Sequence, residues 1–150
     1  MRSVTPWLWF DNQAEEAANF YVSIIEDSKI LDVVRNGDHA FSVTFELKGR
    51  QFHAMNGGPM FKLSEAFSLF VDCEDQAEVD GLWEKLLADG GEPSRCGWLK
   101  DRFGVSWQII PSKLGELLRG PNPDGAGRAM NAMMQMSKII VADLQAAYDG

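Results

Sequence analysis

The order strand, helix, strands occurs twice along this chain, and that repetition constrains the fold more than any other feature. In the first pass, residues 4–10 alternate Thr5, Trp7 and Trp9 with Pro6, Leu8 and Phe10, the period of two of a half-buried strand. Asp11-Asn12 can cap a helix over residues 13–25, whose Ala14, Ala17, Ala18, Tyr21 and Ile25 fall at helical spacing, with Glu15, Glu16 and Asn19 on the wet side. Strands are expected over residues 29–35, 41–47 and 51–55, separated by turns at Asn36-Gly37-Asp38 and Lys48-Gly49. After the loop Asn56-Gly57-Gly58-Pro59 the order restarts with a strand over residues 68–73. Asp75 caps a second helix over residues 76–88, with Val79, Leu82, Trp83, Leu86 and Leu87 on its apolar face, and Gly90-Gly91 ends it. Gln13-Ala14-Glu15 recurs 63 residues later as Gln76-Ala77-Glu78. Together with the element order, this favours a duplicated βαβββ module.

The second pass closes on Cys96-Gly97-Trp98-Leu99-Lys100-Asp101-Arg102-Phe103-Gly104-Val105-Ser106-Trp107-Gln108-Ile109-Ile110-Pro111. This segment reads as two strands around a turn at residues 102–104, the second stopped by a proline that has no N–H for a ladder. Beyond it the pattern turns helical: a short helix over residues 113–119, a loop over 120–125, a methionine-rich helix over 126–136 and a last turn or two over 143–148. The β-branched run in residues 137–141 favours an extended piece. We therefore expect one α+β domain over residues 1–150, with a first module at 1–60, a second at 61–111 and a C-terminal helical segment at 112–150.

A net charge of −8, with Lys and Arg scattered singly, excludes the basic footprint of a nucleic-acid or anionic-membrane binder. No run is apolar and long enough to span a bilayer, and residues 1–3 do not open a leucine-rich leader, so a cytoplasmic location is expected. The two cysteines, Cys73 and Cys96, are then expected as reduced thiols. No phosphate loop follows any strand, since Asn56-Gly57-Gly58-Pro59 lacks the Lys and the helix, and no serine sits in a nucleophile elbow.

The two modules, the Phe20-Tyr21 pair late in the first helix, the Asn56-Gly57-Gly58-Pro59 loop and the strand-turn-strand ending Trp107-Gln108 resemble the glyoxalase, or vicinal-oxygen-chelate, superfamily. More narrowly, with Met136, Lys138-Ile139 and a following Ala-Tyr helix, the whole chain resembles its PhnB-like branch. That branch carries the family label 3-demethylubiquinone-9 3-methyltransferase. The resemblance implies an open cup-shaped mixed sheet, commonly in a homodimer, whose cup holds a metal and a small oxygenated or electrophilic molecule. It does not fix a reaction. The methyltransferase label has no cofactor motif behind it: a glycine-rich turn after a strand in a parallel sheet is missing from this element order.

The resemblance places metal ligands on the first, fourth, fifth and last strands, which here fall near Thr5, near His53, at Ala66 or Ser68, and at Gln108. An amide oxygen where relatives carry a glutamate is a poor ligand for Zn, Ni or Fe, so no cofactor is expected and a divalent metal is not. His53 is the one weak metal candidate; a lone strand histidine is more often a structural hydrogen-bonding group, and His39 is a poorer candidate still. By strand alternation Thr5, Trp7 and Trp9 share a face, as do Ser68 and Phe70, and Ser106, Gln108 and Ile110. With Asn56, these residues are expected to line a pocket with aromatic walls; the alternative is ordinary core. Gln108 and Lys100 are the candidate catalytic residues. Lys100 and Asp101 are the best candidates for titrating chemistry and otherwise plain surface charges. Met130, Met133 and Met134 should share one packed helical face.

Three readings follow: an enzyme with an altered metal site acting on a small, partly aromatic or quinone-like compound; a non-catalytic binder of such a molecule, stacked on Trp7, Trp9 and Phe70; or a structural homodimer whose cup is filled by its own side chains. The expected partners are therefore a small-molecule ligand and a second copy of the chain, with no nucleic acid and no membrane.

Overall fold

The structure is a computed structural model that describes residues Met1–Gly150. The chain falls into two compact units, Met1–Leu63 and Ser64–Gly150. Each is an α+β module built on a four-stranded mixed sheet that does not close on itself, and the second adds the C-terminal helices.

In the first unit, β1 (Trp7–Phe10), β2 (Lys29–Asn36), β3 (His39–Leu47) and β4 (Arg50–Asn56) take the order β1-β4-β3-β2, with α1 (Ala14–Ile24) between β1 and β2. β1 runs parallel to β4 and the other pairs are antiparallel. α1 buries Ala14, Ala17, Ala18 and Tyr21, as its spacing predicts. Three small residues let the helix lie close to the sheet, and Tyr21 meets Phe45, which stacks on Phe52 at 5.5 Å. Lys48 and Gly49 both take positive φ, the left-handed pair that a two-residue hairpin requires.

Two expectations are corrected here. β1 starts at Trp7 and not at residue 4: the ladder begins at the Pro6 carbonyl, which accepts from His53 N at 2.9 Å, and Thr5 lies outside the strand. Asp11-Asn12 do not cap α1, whose Ala14 N donates instead to Asn56 Oδ1 at 2.8 Å. The cap reaches in from the end of β4, which local sequence cannot show.

In the second unit, β5 (Ser68–Cys73), β6 (Glu92–Pro93), β7 (Trp98–Lys100) and β8 (Ser106–Pro111) take the order β5-β8-β7-β6, with α2 (Gln76–Leu87) after β5. β5 is parallel to β8, repeating the first unit's topology. Asp75 caps α2 as expected, its Oδ1 accepting from Glu78 N, while Glu78 Oε2 accepts from Glu74 N. Val79, Leu82 and Leu86 of α2 bury with Leu69, Leu99, Trp107 and Ile109 of the sheet. Both cysteines are free thiols, Cys73 buried in this core.

The C-terminal segment forms α3 (Ser112–Leu118), α4 (Pro123–Gln135) and α5 (Val141–Asp149) around a second cluster of Leu114, Leu117, Ala129, Ile139 and Leu144. α4 begins three residues earlier than its periodicity indicates, because Asn122 Oδ1 accepts from Gly125 N and Pro123 occupies the first turn. The β-branched run divides. Residues 137–140 stay non-helical, with the Met136 and Ser137 carbonyls accepting from Cys96 N and Gly97 N, and Val141 opens α5. The methionines do not share one packed face: Met133 packs on the second cluster, whereas Met130 and Met134 are exposed. No helix is long and apolar enough to cross a membrane.

Candidate functional site

Because α1 and α2 each cover one face of their sheet, alternation leaves a second face in each module, and the candidate residues divide between the two. In the first module Leu8 and Phe10 point into the core, while Trp7, 54% exposed, and the half-buried Trp9 take the other face with His53 and Met55 of β4. The Trp7 ring lies 4.7 Å from that of His53, whose Nδ1 is 2.9 Å from Thr44 Oγ1. His53 is thus held between a tryptophan and a hydroxyl. Trp9 is locked by its own loop: Nε1 donates to Gly58 O at 2.9 Å and Phe61 packs edge-on at 5.1 Å. A Cβ at position 57 would come within 2.4 Å of that indole, so only glycine fits beneath it. Asn56 has both ends of its amide engaged, Oδ1 on Ala14 N and Nδ2 on Ala40 O, and acts as a tie between α1 and β3.

In the second module the face away from α2 carries Ser68 and Phe70 on β5, Ser106, Gln108 and Ile110 on β8, and Trp98 and Lys100 on β7. Phe70 and Trp98 flank Gln108 in register. Gln108 Nε2 donates to Ser68 Oγ at 2.9 Å, which leaves its carbonyl oxygen as an acceptor toward the face. Phe70 is 59% exposed in the middle of a strand whose neighbours Leu69 and Cys73 are buried. Ser106 is 2% exposed and its hydroxyl has no hydrogen-bond partner. Lys100 Nζ lies 2.5 Å from Glu65 Oε1. Hydrogen bonding to the ammonium holds the Glu65 carboxyl below the usual carboxylate range, and the same bond raises Lys100.

Asp101 departs most from expectation. It is neither a surface charge nor a free titrating group: it is 3% exposed, with Oδ1 accepting from Phe103 N and Val105 N and Oδ2 from Trp107 Nε1. Its carboxylate builds the turn and positions β8. Sequence reasoning missed Trp98. Counting outward from the turn at residues 102–104 pairs Leu99 with Trp107 and so sets Trp98 opposite Gln108, a signal that was available.

The residues at the superfamily's metal positions do not fit a metal. Gln108 and Ser68 hydrogen-bond each other, His53 is engaged by Thr44, and no three His, Cys, Asp or Glu side chains converge to hold an ion. The glycine loop does not fit a phosphate or nucleotide cofactor either: Gly57 N and Gly58 N donate to the Phe10 and Asp11 carbonyls and are not available as a cradle.

Comparison with known proteins agrees with this architecture. The family model described as 3-demethylubiquinone-9 3-methyltransferase matches residues 2–110. The match ends at Ile110, so the C-terminal helices lie outside it, contrary to a resemblance spanning the whole chain. A PhnB protein of that family from Bacillus cereus is 32% identical, covering 73% of this chain and 99% of its own, with a TM-score of 0.68. A protein from Pseudomonas aeruginosa is 18% identical over 74% of this chain and 98% of its own, with a TM-score of 0.63. A fosfomycin resistance protein from Listeria monocytogenes, solved with Mn(II) and a dihydroxypropylphosphonic acid, shares the fold at 14% identity, over 71% of this chain and 90% of its own, with a TM-score of 0.53. No curated protein matches the sequence. The chain belongs to the 3-demethylubiquinone-9 3-methyltransferase family, in the PhnB-like branch of the glyoxalase superfamily.

Proposed function

We propose that this protein binds a small, planar, partly polar molecule of quinone-like character on the open face of its second module. The observation that carries this is Phe70, an aromatic ring left exposed at mid-strand, beside an amide whose orientation is fixed by Ser68. Such a pair supplies what a planar oxygenated ligand needs: a π-face to stack on and a polar group aimed from a rigid strand. Trp98 extends the surface on the far side of Gln108. Binding is favoured over catalysis because the charges beside this face, Lys100 and Glu65, are paired with each other, and the donor set does not suit a metal. The test is titration with 1,4-naphthoquinone, read by tryptophan fluorescence and by backbone amide shifts. Phe70→Ala should weaken binding by about tenfold, the loss of one stacked contact. Unchanged affinity in that variant removes Phe70, and this face, from the reading.

A second reading concerns assembly. β2 is an outer strand of its sheet, and Leu31 and Val34 on it, with Phe41 on the neighbouring β3, are exposed. An uncovered apolar edge is the kind of surface that pairs with a second copy, and we propose that a homodimer forms through it. Light scattering across a concentration series should give a dimer mass that Val34→Lys lowers; a monomer at every concentration refutes it.

A further inference from the structure

We infer that the molecule bound beside Phe70 is an aromatic anion, and that its acid group is held by Arg119, a residue beyond the part of the chain that matches the family. The inference rests on the binding reading above. A cavity of about 360 Å³ opens at the end of the second sheet, between Phe70, Asp72 and Ile110 on the strands and Leu114, Leu118 and Arg119 of the C-terminal segment. That volume lies at the small end of ligand pockets and suits one or two fused rings. It is continuous with the proposed site, because Phe70 belongs to both.

The charges around this cavity are not equivalent. The Glu116 carboxylate pairs with Lys113 at 3.3 Å, and Asp72 Oδ1 accepts from Ser112 Oγ at 2.7 Å. The Arg119 guanidinium has no carboxylate partner and folds back over α3 onto Gly115. A Cβ at position 115 would sit 2.9 Å from Nη2 and 3.2 Å from Nη1, so bare backbone is what seats the guanidinium. A glycine inside a helix is unfavourable relative to alanine, and here its place coincides with an unpaired cation over a cavity. The apolar lining takes a ring, and the planar fork of Arg119 offers two parallel N–H groups to a carboxylate. The α3 segment therefore adds an anion anchor to an aromatic surface supplied by the family fold.

Calorimetric titration of the full chain with 2-naphthoate, neutral 2-naphthamide and cationic 2-naphthylmethylamine tests this. The acid should bind at least about tenfold more tightly than the amide, the ratio expected of one charge-assisted pair. In Arg119→Gln and in Gly115→Ala the acid-to-amide ratio should fall to about twofold or less, with the amide affinity unchanged. Gly115→Ala strengthens the helix while displacing the guanidinium, so loss of folding cannot explain its effect. Equal affinities for acid and amide, a preference that survives both variants, or a preference for the amine through Asp72 would overturn the anion assignment. The binding reading fails separately, if Phe70→Ala leaves the amide affinity unchanged. Absence of binding by all three compounds overturns both.

Discussion

Asp101 allows the sharpest structural test, because its three printed acceptor contacts are all buried and all depend on its being a carboxylate. Asp101→Asn keeps the shape and changes one oxygen to an NH2. In one orientation the new NH2 meets Trp107 Nε1, donor against donor; in the other it meets Phe103 N and Val105 N. Either way at least one buried donor is left unsatisfied, at roughly 1–3 kcal/mol. The remaining bonds also lose their charge assistance, which brings the expected loss to about 2–4 kcal/mol. For a chain of this length each kcal/mol lowers the melting temperature by about 2–4 °C, so a fall of roughly 5–15 °C is expected. Thermal unfolding followed by circular dichroism measures it, with hydrogen exchange at the Trp107 indole as the local readout. Combined with Trp107→Phe, which removes the indole donor, Asp101→Asn should cost less than alone, a coupling of about 1 kcal/mol. An Asp101→Asn protein that melts with wild type, its indole equally protected, would show that this carboxylate does not hold the turn.

Two further outcomes are expected. Gln76 Nε2 donates to Ile139 O and Oε1 accepts from Val141 N, so Gln76→Ala should destabilise the second unit by about 1–2 kcal/mol, the worth of a helix cap, and lower hydrogen-exchange protection across α5; unchanged protection would sink the assignment. Burial, with the carboxylates of Glu78, Asp72 and Asp75 adding to it, pushes the Cys73 thiol from its ordinary 9.0 up to about 12. The unfolded thiol ionises first, so this stabilisation is full below about pH 9 and drains away between there and pH 12. Native protein should accordingly resist alkylation at Cys73 at pH 8 while denatured protein reacts, and equal rates in the two states would refute the burial argument.

The parts of the fold readable from sequence are those whose causes are local. Alternation in β1, β5 and β8 and the 3.6-residue spacing in α1 and α2 come from side chains meeting water or core at each turn of the backbone. Asp75 caps α2 from within its own segment, and the expectation held. Where the cause lies far along the chain, the expectation failed: Asn56 caps α1 from 42 residues away, and Gln76 fixes the start of α5 from 65 residues away. Asp101 failed for a related reason. A charged residue next to a turn is ordinarily solvated, and only the hairpin register shows that Trp107 and two backbone amides converge on it. At the site, parity gave the correct face for Phe70 and Gln108, but the partner groups that decide availability — Gly58 for Trp9, Ala40 for Asn56, Glu65 for Lys100 — are loop and long-range contacts.

The duplication also explains why the second module, and not the first, offers a cavity. In each module the last strand lies parallel to the first, so the chain leaves the sheet at an equivalent point beside that first strand's aromatic residue. After β4 it continues as Gly57-Gly58-Pro59 and folds back at once: Gly58 O takes the Trp9 indole proton and Phe61 covers the ring edge. After β8 the proline at 111 ends the ladder and α3 begins, and a helix cannot fold back so tightly. It leaves Phe70 uncovered, with Leu114 and Leu118 across the gap. One topological position therefore closes over its aromatic residue in the first module and stands open in the second. Replacing Gly57 by alanine should disturb only the first: the Cβ forces Trp9 from its seat, and its indole fluorescence should change while naphthoquinone binding beside Phe70 stays as it was. Loss of that binding in Gly57→Ala would show that the ligand site does not belong to the second module alone.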